Sequence, residues 1–339
     1  MSTWNDPELI SLFQRDTPLI DVRAPVEFQE GSIPGSINLP LMNDEERKAV
    51  GICYKEKGPE AAIELGHKLV NGAVKEERIK AWTDYIKEHP AAEVFCFRGG
   101  LRSQISCEWI REQGLSKKAL PGGYKRLRRF FLSWVEDAPL SPFVRIGGLT
   151  GSGKTNLLQG SKNFIDLEKH ANHRGSAFGP RGAQPSQITF ENLLAKDLMK
   201  FHGQKIVVED ESITLGKIVI PQRIFNAMRE APLVILEVSE EDRLRTIFHD
   251  YVKDRTPDFF IQGLKRIEKK LGKSKVQNLS ENIIRAFEHP LEMKYHEEWI
   301  STLLKEYYDP LYQKDLRYNQ DKVVFRGNGD SVLAYLNQS

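Results

Sequence analysis

Cys96-Phe-Arg-Gly-Gly-Leu-Arg102, with Ser103 directly after it, puts a thiol, two guanidiniums and two glycines in one short loop. A thiolate at Cys96 would be stabilised by a helix opening at Ser103, by inward N–H groups of Gly99 and Gly100, and by the charges of Arg98 and Arg102. Such settings draw a thiol pKa from about 8.5 into the range of roughly 3.5 to 7.5. The chemistry expected is nucleophilic, on an anionic substrate. Cysteine is also among the most buried residue types, so an inert strand-end thiol is the competing reading. The density of Arg and Gly favours the nucleophile. Cys107, among apolar helical positions, and Cys53, in GICYKEKG, read as structural.

The second motif, Gly148-Leu-Thr-Gly151-Ser152-Gly153-Lys154-Thr155, matches GxxxxGK[ST] in full, after an apolar strand and before a helical stretch. Glycines let successive N–H groups turn inward around phosphate oxygens. Lys154 is then expected at terminal phosphates, and the Thr155 hydroxyl can ligate Mg²⁺. KIVVEDES places Glu209, Asp210 and Glu211 where a Walker B acid would sit, with Asp210 the candidate. Arg243 and Arg245 head a helix as in P-loop kinases, although a plain surface helix accounts for them nearly as well. The Gly-rich polar stretch from Lys169 to Gly182 carries His170, His173, Arg174 and Arg181 and reads as an anion or substrate loop. Its histidines lack supporting carboxylate or Cys spacing, so no metal site is expected.

Positioning these loops takes alternating strands and helices. LIDV, SINL and AEVFCF read as short strands, a Lys/Glu-rich helical region runs from about Pro59 to Glu88, and RSQISCEWIREQG reads as a helix stopping at Gly114. Cys96 then sits at a C-terminal strand end, where α/β domains carry their chemistry. The proline-rich DAPLSPF marks a boundary, giving domains 1–137 and 138–339. VRIGGL, NFIDL, KIVVED and LVILEV are the strands of the second domain, followed by long charged helical sequence.

Bulk properties agree with two soluble α/β domains. The chain has 339 residues, 40% hydrophobic and 28% charged, with net charge +2, so any nucleic-acid footprint must be local. Three cysteines without CxxC spacing exclude a disulfide framework and a four-ligand zinc site. MSTWNDPELI lacks the basic start of a signal peptide, and no segment reaches the roughly 20 apolar residues of a membrane span. The expected setting is cytoplasmic.

LIDVRAPVEFQEGSIPGSINLP resembles the N-terminal signature of the rhodanese superfamily, with Ser32 where many members carry His. FCFRGGLRS in that domain, followed by GLTGSGKT and HANHRGSAFG in the next, resembles the bacterial tRNA 2-selenouridine synthase family over nearly the whole chain. The fold class this implies is α/β, with a rhodanese-like parallel-sheet domain and then a P-loop domain whose C-terminal part is helical. The resemblance implies a transferase replacing sulfur by selenium in wobble 2-thiouridine of tRNA, with selenophosphate as donor. It also implies geranylation of that sulfur from geranyl diphosphate as an intermediate step. Cys96 is then the catalytic cysteine, carrying selenium as a selanyl adduct. Arg98, Gly99, Gly100, Arg102 and Ser103 form its anion loop, and Gly148, Gly151, Ser152, Gly153, Lys154 and Thr155 hold the diphosphate. No tightly bound cofactor is implied, and a monomer with no membrane partner is expected.

A tRNA substrate needs a basic face. Lys125, Arg126, Arg128 and Arg129 in YKRLRRFF are one candidate, and Lys265, Arg266, Lys269 and Lys270 along GLKRIEKKLGKSK are the other. Two alternatives stay open on the residues alone. Cys96 and Arg102 have the Cys-x5-Arg spacing of a phosphatase, although Phe95 stands where His often precedes the Cys. A P-loop-regulated sulfur carrier without catalysis is the other.

Overall fold

Short buried strands and the glycine turns after them fix where each loop emerges. The computed structural model describes residues 3–338 apart from 177 and 254, in two units. The first unit comprises 1–139 together with 185–200, and the second 140–184 with 201–339. The expected boundary at 137/138 therefore shifts slightly. It also misses 185–200, whose helix Gln187–Lys200 packs on helix Gly123–Glu136 of the first unit. Phe190, Leu194, Leu198 and Met199 supply its apolar face.

In the first unit β1 (Leu19–Asp21) lies between β2 (Ser36–Asn38) and β3 (Glu93–Phe95), all parallel. Ile20, Val22, Val94, Trp82 and Ile110 form its core with helices Gly72–Glu88 and Leu101–Glu112. The helical region begins earlier than expected, at Asp44. Helix Asp44–Leu69 bends at Gly58 (φ 86°), just before Pro59, so it is two helices in one run.

In the second unit β4 (Phe143–Gly147) is the centre of a five-stranded parallel sheet. β5 (Phe164–Ile165) and β6 (Ile206–Glu209) lie on one side of it, in the order β4-β6-β5. A hairpin of β7 (Thr214–Leu215) and β8 (Ile218–Val219) precedes β9 (Leu233–Leu236), which pairs on the other side, and β10 (Val323–Gly327) flanks β9. β10 was outside the strands read above: VVFRG follows a long helical region and alternates partly exposed residues. β5 and β6 go to one side of β4 and β9 and β10 to the other, so a crevice opens beyond its C-terminal end, where such sheets bind ligands. The helical part has its own core around Phe260, Leu264, Trp299 and Leu303.

Candidate active sites

Cys96 follows β3 directly and is 3% exposed. Its backbone is gripped from behind by a turn that sequence reading passed over, Pro121-Gly122-Gly123. Tyr124 N–H donates to Cys96 C=O (2.8 Å) and Lys125 N–H to Phe97 C=O (2.9 Å). A Cβ on Gly123 (φ 50°) would lie 2.2 Å from that same Cys96 oxygen, so only glycine allows the approach. Gly99 (φ 66°) is similarly tight against Leu120 C=O. Gly100 then caps helix Leu101–Glu112.

Ser103, fully buried, sets its hydroxyl 3.2 Å from Cys96 Sγ and 3.0 Å from Gly100 C=O. With one proton and two acceptors in reach, it can turn from the carbonyl to the sulfur when the thiol ionises. Burial pushes the Cys96 thiol up, but the Ser103 hydroxyl, the N–H groups of Ser103 and Arg98 and the charge of Arg102 outweigh it, and the net pKa lies below the ordinary value. Cys107 lacks such partners, and burial raises it to about 11. The two thiols thus shift in opposite directions.

Arg102 is not a free arm. Its Nη1 and Nη2 donate to Glu27 Oε2 (2.6 Å) and Oε1 (3.1 Å), so the carboxylate fixes the guanidinium. Glu27 is itself held by Ala24 N–H (3.2 Å), and sequence reading did not single it out. Arg98 is exposed, with the Phe97 ring 5.8 Å away. Beneath the loop, buried Arg23 pairs with Asp21 (2.6 Å), donates to Gly31 C=O (2.8 Å) and stacks 3.7 Å from the Tyr124 ring. Ser32 donates its N–H to Thr189 Oγ1 (3.0 Å) and accepts from Asn192 Nδ2 (2.8 Å), so the position where relatives of the fold often carry His docks the 185–200 helix here.

In the second unit the loop after β4 carries Gly148, Gly151 and Gly153 at φ 157°, 82° and 74°. Gly151 lies under Ile247 and the Arg243 carbonyl, where a Cβ would come within 3.0 Å. Arg243 donates Nε to Thr150 C=O (2.9 Å) and both Nη to Asp309, so it braces the loop. Lys154 Nζ donates to Gly148 C=O (3.0 Å), and the buried Ser152 Oγ lacks a partner among the described residues. Thr155 Oγ1 donates to Glu209 Oε1 at 2.7 Å. The acid beside the P-loop hydroxyl is thus Glu209, which corrects the expectation for Asp210. Asp210 turns away to neutralise the fully buried Arg145 (2.7 Å) and Arg229 (3.2 Å).

Gly151, Gly153, Lys154, Thr155, Glu209 and Asp210 line a cavity of about 640 Å³. Arg174 and Arg181 from the His/Arg loop reach it, whereas His170 and His173 do not line it. Arg174 donates to Asp250 C=O (2.9 Å) and stacks over Tyr251. Burial lowers the His173 pKa, the charge of Arg266 adding to it. Glu168 accepts from Gly175 N–H (2.7 Å); burial and the neighbouring Glu209 push its carboxyl up to about 7. Glu209 and Glu211 are raised too, chiefly by burial. Positive and negative groups therefore share one crevice.

The basic stretches fare unequally. On helix Gly123–Glu136, Arg126 is paired with Asp6 (2.8 Å) and Glu8 (2.6 Å), and Arg128 with Glu191 and Asn192, so both have partners within the fold. Lys125 and Arg129 remain exposed, as do Lys265, Arg266, Lys269 and Lys270 on helix Pro257–Leu271. Among the described residues no helix is long and apolar enough to cross a membrane.

Fold and sites together define a two-part protein: a rhodanese-like domain with a cysteine loop, then a P-loop domain with a helical extension. The rhodanese-like domain model matches residues 6–125, and the model described as the tRNA 2-selenouridine synthase AAA domain matches 141–339. Curated relatives named tRNA 2-selenouridine synthase include one from Shewanella denitrificans, 43% identical over 98% of this chain and 97% of the relative. Another, from Azotobacter vinelandii, is 44% identical over 96% and 95%, and one from Bordetella petrii 42% over 96% and 94%. The chain belongs to the tRNA 2-selenouridine synthase family, and it is an enzyme.

Two outcomes follow from the P-loop crevice. Asp210→Ala leaves Arg145 buried without its carboxylate and is expected to cost roughly 3–5 kcal/mol in a denaturation series, whereas Glu209→Gln keeps the fold and loses the Mg²⁺ dependence of diphosphate binding. Glu168 is ionised above about 7 and neutral below it, so its repulsion of an anion fades as pH falls through that value. In calorimetry without divalent cations, diphosphate affinity should rise on acidification more steeply in the wild type than in Glu168→Gln, where the ligand's own titration is all that remains.

Proposed function

We propose that this enzyme exchanges the sulfur of wobble 2-thiouridine in tRNA for selenium, with Cys96 carrying selenium from selenophosphate as a selanyl group, after geranylation of the sulfur at the P-loop site. The observation that carries the reading is the buried Cys96 sulfur, given a lowered pKa by Ser103, loop N–H groups and Arg102. A soft thiolate beside an anion-binding turn suits a selenophosphate donor. Thiouridine sulfur is itself a soft nucleophile, and its alkylation turns it into a leaving group. The alkyl donor must expel diphosphate, for which Lys154, the N–H groups of Gly151 to Thr155, Arg174 and Arg181 offer compensating charge. Mg²⁺ fits the hard oxygen donors Thr155 Oγ1 and Glu209, and would add charge to the leaving diphosphate when bound. Lys125, Arg129 and the exposed row Lys265, Arg266, Lys269 and Lys270 support phosphate contact with tRNA.

The test is mass spectrometry of tRNA nucleosides from cells carrying single variants. Cys96→Ser should abolish 2-selenouridine, by at least about 100-fold, while S-geranyl-2-thiouridine persists; Lys154→Ala should lose the geranylated nucleoside. Normal 2-selenouridine in Cys96→Ser would reject the assignment of Cys96.

A further inference from the structure

The face of helix Leu101–Glu112 that carries Ser103 meets Cys96, but another face, with Ile105 and Trp109, closes a separate cavity of about 190 Å³. Met42, Val50, Ala62 and Ile63 from around the bent helix Asp44–Leu69 form its other walls. The lining is almost wholly apolar, and Arg102, from the Cys96 loop, stands at its edge. The cavity is more than a packing gap: Tyr54 and Leu101 on its rim are 59% and 48% exposed, so it opens to solvent. Next to it lies an open depression sharing Met42, Val50, Tyr54 and Arg102 with it, and bordered by the exposed cations Arg47, Lys48 and Lys55. Among these residues only Arg102 also belongs to the Cys96 loop.

An apolar hole continuous with a basic rim, beside a nucleophile, fits one class of ligand: a polyanion bearing an apolar substituent. We infer that this cavity receives the alkyl chain of S-geranyl-2-thiouridine while C2 of the base is presented to the Cys96 loop, with Arg47, Lys48 and Lys55 against neighbouring phosphates. This rests on the S-alkylated intermediate proposed above and adds the place where its chain is bound during selenation. The size agrees, since an apolar cavity of about 150 Å³ holds benzene. A branched isoprenoid fills an open cavity of 190 Å³ far better than a methyl group. In the exchange one C2–Se bond forms and one C2–S bond breaks. The electron pair of the broken bond leaves with sulfur, which takes a proton, so the chain departs as geranylthiol; selenium, still joined to Cys96 Sγ, is then released by a small thiol reductant that takes Sγ into a mixed disulfide and leaves the S–Se electron pair on selenium. Holding the chain out of water at that step also holds the scissile C–S bond in register with the loop.

The experiment presents the full-length enzyme with selenophosphate, a small thiol reductant and tRNA prepared with either S-geranyl- or S-methyl-2-thiouridine, and measures 2-selenouridine formed. The wild type should prefer the geranyl substrate by about tenfold or more in kcat/KM. Ile63→Trp at the partly exposed rim and Ala62→Phe inside the cavity should each bring that ratio near one. Continued turnover of the S-methyl tRNA shows that the Cys96 loop is intact in each variant. A wild-type ratio retained by both variants overturns the assignment of the cavity. A wild type that converts neither alkylated tRNA rejects the S-alkylated intermediate itself, and the cavity assignment with it.

Discussion

A thiol on a residue that is only 3% exposed can carry negative charge only where the fold itself supplies the groups that solvate it. Everything around Cys96 answers to that requirement. Ser103 gives the hydroxyl, the turn gives N–H groups and Arg102 gives a fixed charge, and each needs a support of its own. Glu27 fixes Arg102 in place, while Gly122 and Gly123 let the next helix approach close enough to bond the carbonyls of Cys96 and Phe97. Because Glu27 is held through Ala24 and Tyr124 through Arg23 and Asp21, the loop rests on buried ionic and hydrogen-bonded contacts down to β1.

The P-loop crevice solves the opposite problem, holding an anion among carboxylates. Glu168, Glu209 and Glu211 are packed near Lys154, and burial raises all three, so the crevice disfavours their full ionisation together. Arg243 directs its donors into the fold: it clamps Thr150 C=O and is neutralised by Asp309 from the far helical segment. Through this pair the helical extension braces a loop that lies 93 positions before Arg243 in sequence.

How much of this was legible in the residues depends on how local the determinant is. The cysteine loop and the GxxxxGK[ST] loop are contiguous, so both were read from spacing alone, as were the strands that launch them. Which of Glu209, Asp210 and Glu211 faces Thr155 was not legible, because it turns on strand register and on Arg145, a charge buried in β4 that claims Asp210. Glu27 and Arg126 show the same limit: their partners lie 75 and 118 or more positions away. The helix at 185–200 lies in sequence within the second domain but folds with the first, since the apolar face of helix Gly123–Glu136 is what it covers. VVFRG was missed because a strand on the sheet's edge needs no continuous apolar run.

The claim on which the rest turns is that the fold stabilises the thiolate of Cys96 through Ser103. It is tested by the pH dependence of Cys96 alkylation in the full-length protein, followed site by site by mass spectrometry against Cys107. The midpoint at Cys96 should lie below that of an ordinary thiol and move to higher pH in Ser103→Ala, with Cys107 unreactive across the same range. A Cys96 midpoint at or above the ordinary thiol value, unmoved by Ser103→Ala, would contradict it.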